Sequence, residues 1–475
     1  MSFLKRRKSL DAEKSIGSGA RLRRTLGWPH LVALGVGAIV GTGIYTLVGI
    51  GAGRAGPAVI LAFVIAALVC ACAALAYAEM STLLPVSGSA YTYTYAVAGE
   101  LPAWIVGWSL ILEYTVVCSA VAVGWSGYAV GFLSSLGIDQ PDALAHGPST
   151  PGGVFNLPAA AIVFAVAAML LVGARESATV NGILVTVKMI ALLVFMGIAF
   201  TAFRMSNFEP FMPYGFSAHV EGSETRGVMA AAAIIFFAFY GFDAVSTAAE
   251  ETRNPGRDLV IGIVGSMVVC TLIYIGVAAA ALGAMPFTEF AASPEPLSHV
   301  LRTLQSPVAA NLIAAAAVIA LPTVILAFLY GQTRIAFVMA RDGLLPERFG
   351  GVSEKRGTPI AMTLVTAIIV ALLAGFLPLA EIAELANAGT LVAFIAVAVC
   401  VMALRIMEPS RPRVFRTPLV WLVCPLAVVG CIYLFFSLPA VTQLRFLKWN
   451  AAGLVVYFLY AVHNSRLKNI QSGRA

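Results

Sequence analysis

Residues 35–45 read Gly-Val-Gly-Ala-Ile-Val-Gly-Thr-Gly-Ile-Tyr, and residues 236–243 read Phe-Phe-Ala-Phe-Tyr-Gly-Phe-Asp. Each lies within an apolar run long enough to cross hydrocarbon, about 20 residues. Gly35, Gly37, Gly41 and Gly43 weaken the helix in the first run, and Gly241 stands two residues before the ionisable Asp243 in the second. An interrupted helix exposes N–H groups on one side of the break and C=O groups on the other. Hydrocarbon tolerates them only where a ligand, water or another chain segment satisfies them. Small residues also allow close helix packing, so either stretch alone reads both ways. The pair, at matching positions, reads as a site.

The surrounding composition sets the environment. Of 475 residues, 60% are apolar and 11% charged, against about 45–50% and about 25% in soluble domains. Such a chain cannot cover a water-facing surface, which excludes a string of soluble domains, a disordered chain and a disulfide scaffold. Cys70, Cys72, Cys118, Cys270, Cys400, Cys424 and Cys431 all fall in apolar runs and read as small hydrophobes. Residues 1–30 hold eight Lys or Arg and no apolar core before Trp28, so no cleavable signal is expected.

Apolar runs occur near 31–55, 58–80, 101–134, 157–173, 178–203, 228–250, 259–285, 308–333, 359–379, 386–404, 418–439 and 447–463. Twelve crossings put both termini on one side. That side and its loops collect 23 of the 30 Lys and Arg, the opposite loops six, and Lys188 lies within a run. Basic residues gather in cytoplasmic loops, so both termini are expected in the cytoplasm. The positive charge is then a topology signal, with no nucleic-acid partner.

The interrupted runs are the first and sixth, so they open two successive five-span units, and an odd number inverts the second. Where the two breaks cross, the N–H groups near Thr42 and Gly43 suit a carboxylate, and carbonyls near Phe237 and Tyr240 suit an ammonium. Together they suit a zwitterion.

Three stretches, Gly35–Tyr45, Phe236–Pro255 and Gly331–Pro359, resemble the amino acid–polyamine–organocation (APC) superfamily. The best match is its bacterial branch related to cationic amino acid transporters. The resemblance spans nearly the whole chain. It implies an all-α integral membrane protein of LeuT-type fold, with twelve transmembrane helices, helices 1 and 6 broken, and five-plus-five inverted repeats. The corresponding segments are 1–30 (cytoplasmic), 31–203 and 228–404 (the repeats), 418–463 (two peripheral helices) and 464–475 (cytoplasmic tail). It implies amino acid transport, commonly coupled to protons, from a bacterial inner membrane. No cofactor or metal is expected.

The substrate contacts so implied are Ile39, Gly41, Thr42, Gly43, Phe237, Tyr240, Gly241 and Glu113. Lys188 is the sole Lys or Arg deep in a run and such charges are expensive. The resembled branch places a lysine here, where sodium-coupled relatives hold sodium between the first and eighth helices. It reads as a coupling residue tethering the first helix, or as a static cation paired with a carboxylate. Glu113 is its natural partner, or that of a cationic side chain or a proton. Asp243 reads as a helix cap or gating residue, or as a substrate contact. Phe237 and Tyr240 read as core packing or as a pocket roof, and Tyr274 matches a coupling position near the lysine. Glu79, Glu250 and Glu251 are expected in solvated or gating pairs with Arg253 or Arg257.

His30, His146, His219, His299 and His463 sit at run ends or in loops, giving no metal cluster. No GxxxxGK[ST] motif supports ATP-driven pumping. An intramembrane enzyme would need a nucleophile–base pair, and a channel would need rings of like residues. The leading expectation is a proton-coupled L-amino acid symporter in a lipid bilayer. The alternatives are an amino acid exchanger, for cationic amino acids or polyamines, or a non-transporting sensor. Glu113, if free, favours a cationic substrate. A small neutral one follows if Lys188 neutralises it, and the bulk of Tyr240 points the same way.

Overall fold

The computed structural model describes residues 26–84, 89–172, 178–222, 224–247, 252–346 and 360–467. The expectations for residues 1–25, Glu250, Glu251 and the last eight residues lie outside this set, as does part of the Gly331–Pro359 stretch. The described residues are overwhelmingly helical.

The first broken run forms α1 (Trp28–Ile39), a π-turn at Gly43–Leu47 and α2 (Val48–Ala55), followed by α3 (Val59–Leu83). Next come α4 (Ser89–Val97), α5 (Glu100–Ser135), α6 (Leu157–Val172) and α7 (Ala178–Thr201). A hairpin of β1 (His219–Glu221) and β2 (Glu224–Arg226) precedes the second broken run. That run is α8 (Val228–Ile235), a 3₁₀ turn at Phe236–Phe239 and α9 (Phe242–Thr247). Then follow α10 (Pro255–Ala284), the short α11 (Phe287–Ala292) and α12 (Pro296–Thr303), and α13 (Pro307–Arg341). The chain continues through α14 (Ile360–Phe376), α15 (Leu379–Met407), α16 (Val420–Phe436) and α17 (Ala440–Val456), which a further turn extends to Asn464.

Among the described residues, every apolar run of the sequence is thus mainly helical. Among the described residues, six stretches suffice by length and apolar content to cross a bilayer, and seven if α16 and the α17 helix, bent by 112°, are counted as one span. The first half of each broken run (α1; α8 with its 3₁₀ turn), α6 and α14 are shorter. The count supported by length is therefore below the twelve read from the sequence. The helix α4 and the β-hairpin were not anticipated. The residues of α4 are buried throughout, although Thr and Tyr dilute the apolar signal that marks a span.

Helix starts follow local chemistry. Proline stands in the first turn of α1, α10, α12 and α13, where its missing N–H costs nothing. Pro322 inside α13 is different, because it deprives the Val318 carbonyl of its donor. The Trp125 indole of α5 donates to that carbonyl at 2.8 Å.

The outside of the bundle is apolar: Leu272 is 67% exposed and Leu459 76%. A helix that is hydrophobic all round either lies inside a protein or faces lipid. The interior holds Trp104 and a set of fully buried tyrosines. Leu26, just before α1, forms a parallel bridge with Thr252, just before α10, and the Arg253 N–H donates to the Leu26 carbonyl at 2.8 Å.

Candidate substrate site at the crossed helix breaks

The two interruptions meet. A Cβ on Gly43 would fall inside van der Waals distance of the Ala238 Cα, and one on Gly241 would lie 2.6 Å from Ala38 Cβ and 2.9 Å from the Ile39 nitrogen. Each break therefore carries a glycine where the other backbone approaches. Gly241 also has φ +110°, outside the range open to most L-residues. Its neighbour Tyr240 is extended, with φ −64° and ψ 149°, and the chain turns there from the 3₁₀ turn into α9.

Below the first break, α1 ends on carbonyls that hydrocarbon cannot solvate. Two side chains reach them. The Lys188 ammonium of α7 donates to the Gly37 carbonyl at 3.1 Å and reaches Thr323 Oγ1 of α13 at 3.5 Å. The Tyr274 hydroxyl of α10 donates to the Ile39 carbonyl at 2.8 Å. Both side chains are fully buried. Lys188 thus links three helices around the end of α1, beside the Pro322 position of α13.

On the other side of the break, the Ile44 and Tyr45 N–H groups return to the Gly41 carbonyl at 3.2 and 3.3 Å. The N–H groups of Gly41, Thr42 and Gly43 find no backbone acceptor outside their own helix among the described residues. Thr42 is buried, and its hydroxyl has no partner there. This is an anion-accepting end.

At the second break, Phe237 and Tyr240 are 5% and 3% exposed, with ring centroids 5.1 Å apart. The Phe237 carbonyl accepts the Tyr240 N–H at 3.3 Å, leaving one lone pair open. The Tyr240 hydroxyl turns to Asn387 of α15 and donates to its Oδ1. The Asn387 Nδ2 in turn donates to the carbonyls of Ala233 and Ile234, at 2.5 and 3.2 Å.

The acidic residues form a separate group. Glu113 is buried on α5, within electrostatic reach of Asp243 and Tyr240, and its Oε2 accepts no hydrogen bond among the described residues. A Cβ on Gly389 would lie 3.1 Å from its Cβ. Asp243, in the first turn of α9, accepts from the Tyr114 hydroxyl at 3.4 Å.

The structure therefore brings Ile39, Gly41, Thr42, Gly43, Phe237, Tyr240 and Gly241 to one crossing. Lys188 and Tyr274 lie at the α1 end of it, and Glu113 and Asp243 beside the second break. Glu113 forms no ion pair among the described residues, so it is not the partner of Lys188. Glu79 pairs neither with Arg253 nor with Arg257. It is 1% exposed, meets Arg405 at 2.9 Å and Arg413 at 3.1 Å, and accepts the Thr417 N–H at 2.8 Å. A buried carboxylate takes the strongest donors in reach, and here these come from α15 and the segment after it.

Reading the sequence for charge missed Asn387 and Thr323, which carry none. An amide within the 386–404 run was the available signal. It missed Arg54 as well, which pairs with Glu384 of α15, itself bonded by Thr442 Oγ1 at 2.8 Å. This pair lies in the wall of a cleft of about 690 Å³ that also includes Tyr214, Arg226 and Arg445.

The described helices thus form a bundle with an apolar exterior whose two broken helices cross at a buried polar site. The family model described as amino acid permease matches residues 26–461, and the chain belongs to that family, within the APC superfamily. It is 47% identical to the branched-chain amino acid permease BcaP of Bacillus subtilis (strain 168), over 97% of this chain and 98% of that one. It is 40% identical to the methylthioribose transporter of the same organism, over 98% and 100%. The vacuolar cationic amino acid transporter 2 of Arabidopsis thaliana is 38% identical over 86% of this chain and 64% of its own length. These relatives are named as permeases and transporters rather than enzymes, and the chain, a member of their family with several apolar helices, is a multi-pass membrane protein.

Proposed function

We propose that the protein is a secondary active transporter of L-amino acids that carries protons with its substrate by alternating access. The observation that supports this best is the crossing: two breaks in backbone contact, with an N–H end at Gly41–Gly43 and a carbonyl end at Phe237–Tyr240. An α-carboxylate fits the first and an α-ammonium the second. Ile39 and Thr42 flank the carboxylate, Phe237 and Tyr240 enclose the side chain, and Glu113 borders the pocket. Lys188 is the coupling group. Charged, it holds the α1 carbonyls, and neutral, it releases them, with Tyr274 keeping its grip on Ile39. Asp243 steadies the start of α9.

The architecture that goes with this function is the LeuT-type fold of twelve helices, with repeats 31–203 and 228–404 and peripheral helices 418–463. The 1–30 and 464–475 segments then face the cytoplasm of a bacterial inner membrane. The substrate is a neutral, branched-chain or smaller aliphatic L-amino acid. The 47% identical permease supports this class, and the bulk of Tyr240 limits the room beside the break.

Uptake of radiolabelled leucine into proteoliposomes tests the reading. A saturable signal that collapses on adding a proton ionophore is expected. Uptake that ignores the proton gradient but requires internal amino acid means exchange, and ligand-induced stabilisation with no flux means a sensor; either result overturns symport.

A further inference from the structure

Asn387 is fully buried in α15 and makes three hydrogen bonds, all to the second broken helix. Its Nδ2 donates to the carbonyls of Ala233 and Ile234, where α8 ends, and its Oδ1 accepts the Tyr240 hydroxyl at the break. The bonding fixes the amide orientation, since a flipped group would set its oxygen against two carbonyls. Two carbonyls at the C-terminal end of a half-helix form a cation-seeking group. A lysine or arginine side chain that entered beside Tyr240 would find its natural acceptors there, and the amide already fills them.

We infer that Asn387 is a specificity-determining residue of this site, reserving it for neutral side chains. It acts in two ways. It supplies, without charge, the two donors that a cationic side chain would bring. It also holds the Tyr240 ring in place through the hydroxyl, so the ring shields the carbonyls from the pocket. A cation entering the site must displace both, leaving a buried amide and a buried phenol without partners, and unpaired buried groups discriminate strongly. Asn387 is thus a positioning residue for Tyr240 and a stand-in for an ammonium.

The inference rests on the amino acid reading above, and binding separates the two, because it is measured without flux. Purified full-length protein is heated with leucine or lysine, and the shift in unfolding midpoint is titrated for wild type, Asn387→Ser and Tyr240→Phe. Serine is too short to span Tyr240 and both carbonyls, whereas Tyr240→Phe leaves the amide on them. Wild type should prefer leucine, and Tyr240→Phe, which removes only the hydroxyl hold on the ring, should show a smaller fall in that preference than Asn387→Ser. Asn387→Ser should bind lysine, its leucine-to-lysine preference falling by about tenfold or more.

An Asn387→Ser protein with the wild-type preference overturns the proposal. So does one that loses leucine without gaining lysine, which is what a merely structural residue would do. Wild type stabilised equally by lysine also overturns it, as does a Tyr240→Phe protein whose preference falls as far as that of Asn387→Ser. Where Asn387→Ser fails to fold, Asn387→Ala is measured by the same criteria, with competition of leucine uptake by excess lysine as a second readout.

Discussion

Lys188 is the residue whose surroundings are most costly to disturb. Its ammonium lies out of water, and an uncompensated buried charge costs several kcal/mol. The donor–acceptor contacts to Gly37 and Thr323 compensate it only while it is protonated and α1 is in place. Lys188→Ala should therefore reduce uptake at least about tenfold and flatten its pH profile, checked as initial rates across pH. A pH profile parallel to wild type would remove Lys188 from coupling. The glycines at the crossing impose a steric requirement instead. At Gly241, alanine would combine a backbone conformation of φ +110° with overlap on Ala38 and Ile39. Strain of this kind costs about 1–3 kcal/mol per residue. Gly241→Ala should weaken substrate-induced thermal stabilisation at least about fivefold while the protein still extracts from membranes as a monodisperse species.

Among the elements, α13 shows how a helix survives a proline. Pro322 removes the donor to Val318, and Trp125 replaces it from α5. Deleting that indole N–H leaves a carbonyl unsatisfied next to the Thr323 that Lys188 approaches. Trp125→Phe retains the ring and should destabilise by about 1–3 kcal/mol, read as a lower unfolding midpoint, with Lys188-dependent uptake lost sooner than expression. The Glu79 node is a second element-scale joint. Arg405 from the end of α15, and Arg413 and Thr417 from the segment leading to α16, converge on one carboxylate of α3. Glu79→Gln leaves two guanidinium groups sharing a neutral acceptor, and breaking a buried pair costs about 3–5 kcal/mol. A clear fall in thermal midpoint with unchanged substrate affinity is the expected result.

For the whole molecule, the sequence was legible wherever lipid dictated it. Apolar runs had to be helical, because every backbone group must be paired inside the segment, and the described residues of each run are mainly helix. The breaks were legible because glycine crowding within such runs has few uses. Much of the remainder rests on neutral polar side chains. Asn387, Thr323 and Trp125 do their bonding across helices far apart in the chain, and no charge marks them in the sequence. The α4 helix, Ser-Ala-Tyr-Thr-Tyr-Thr-Tyr-Ala-Val, alternates polar and aromatic residues, so no apolar run identified it. It is helical because α5 and α15 bury it. Glu79 was misassigned for a related reason. Its nearest cations in a hydropathy diagram are not its neighbours in space, since α15 packs along α3.

The bridge between Leu26 and Thr252 has a mechanical meaning. It fastens the chain entering α1 to the chain entering α10, and α1 already meets the second break at its other end through Gly241 and Ala38. Held at both ends, α1 belongs to a braced frame rather than standing as an independent flap. Opening the site toward that side requires the frame to swing as one lever, or the two-residue strap to part first.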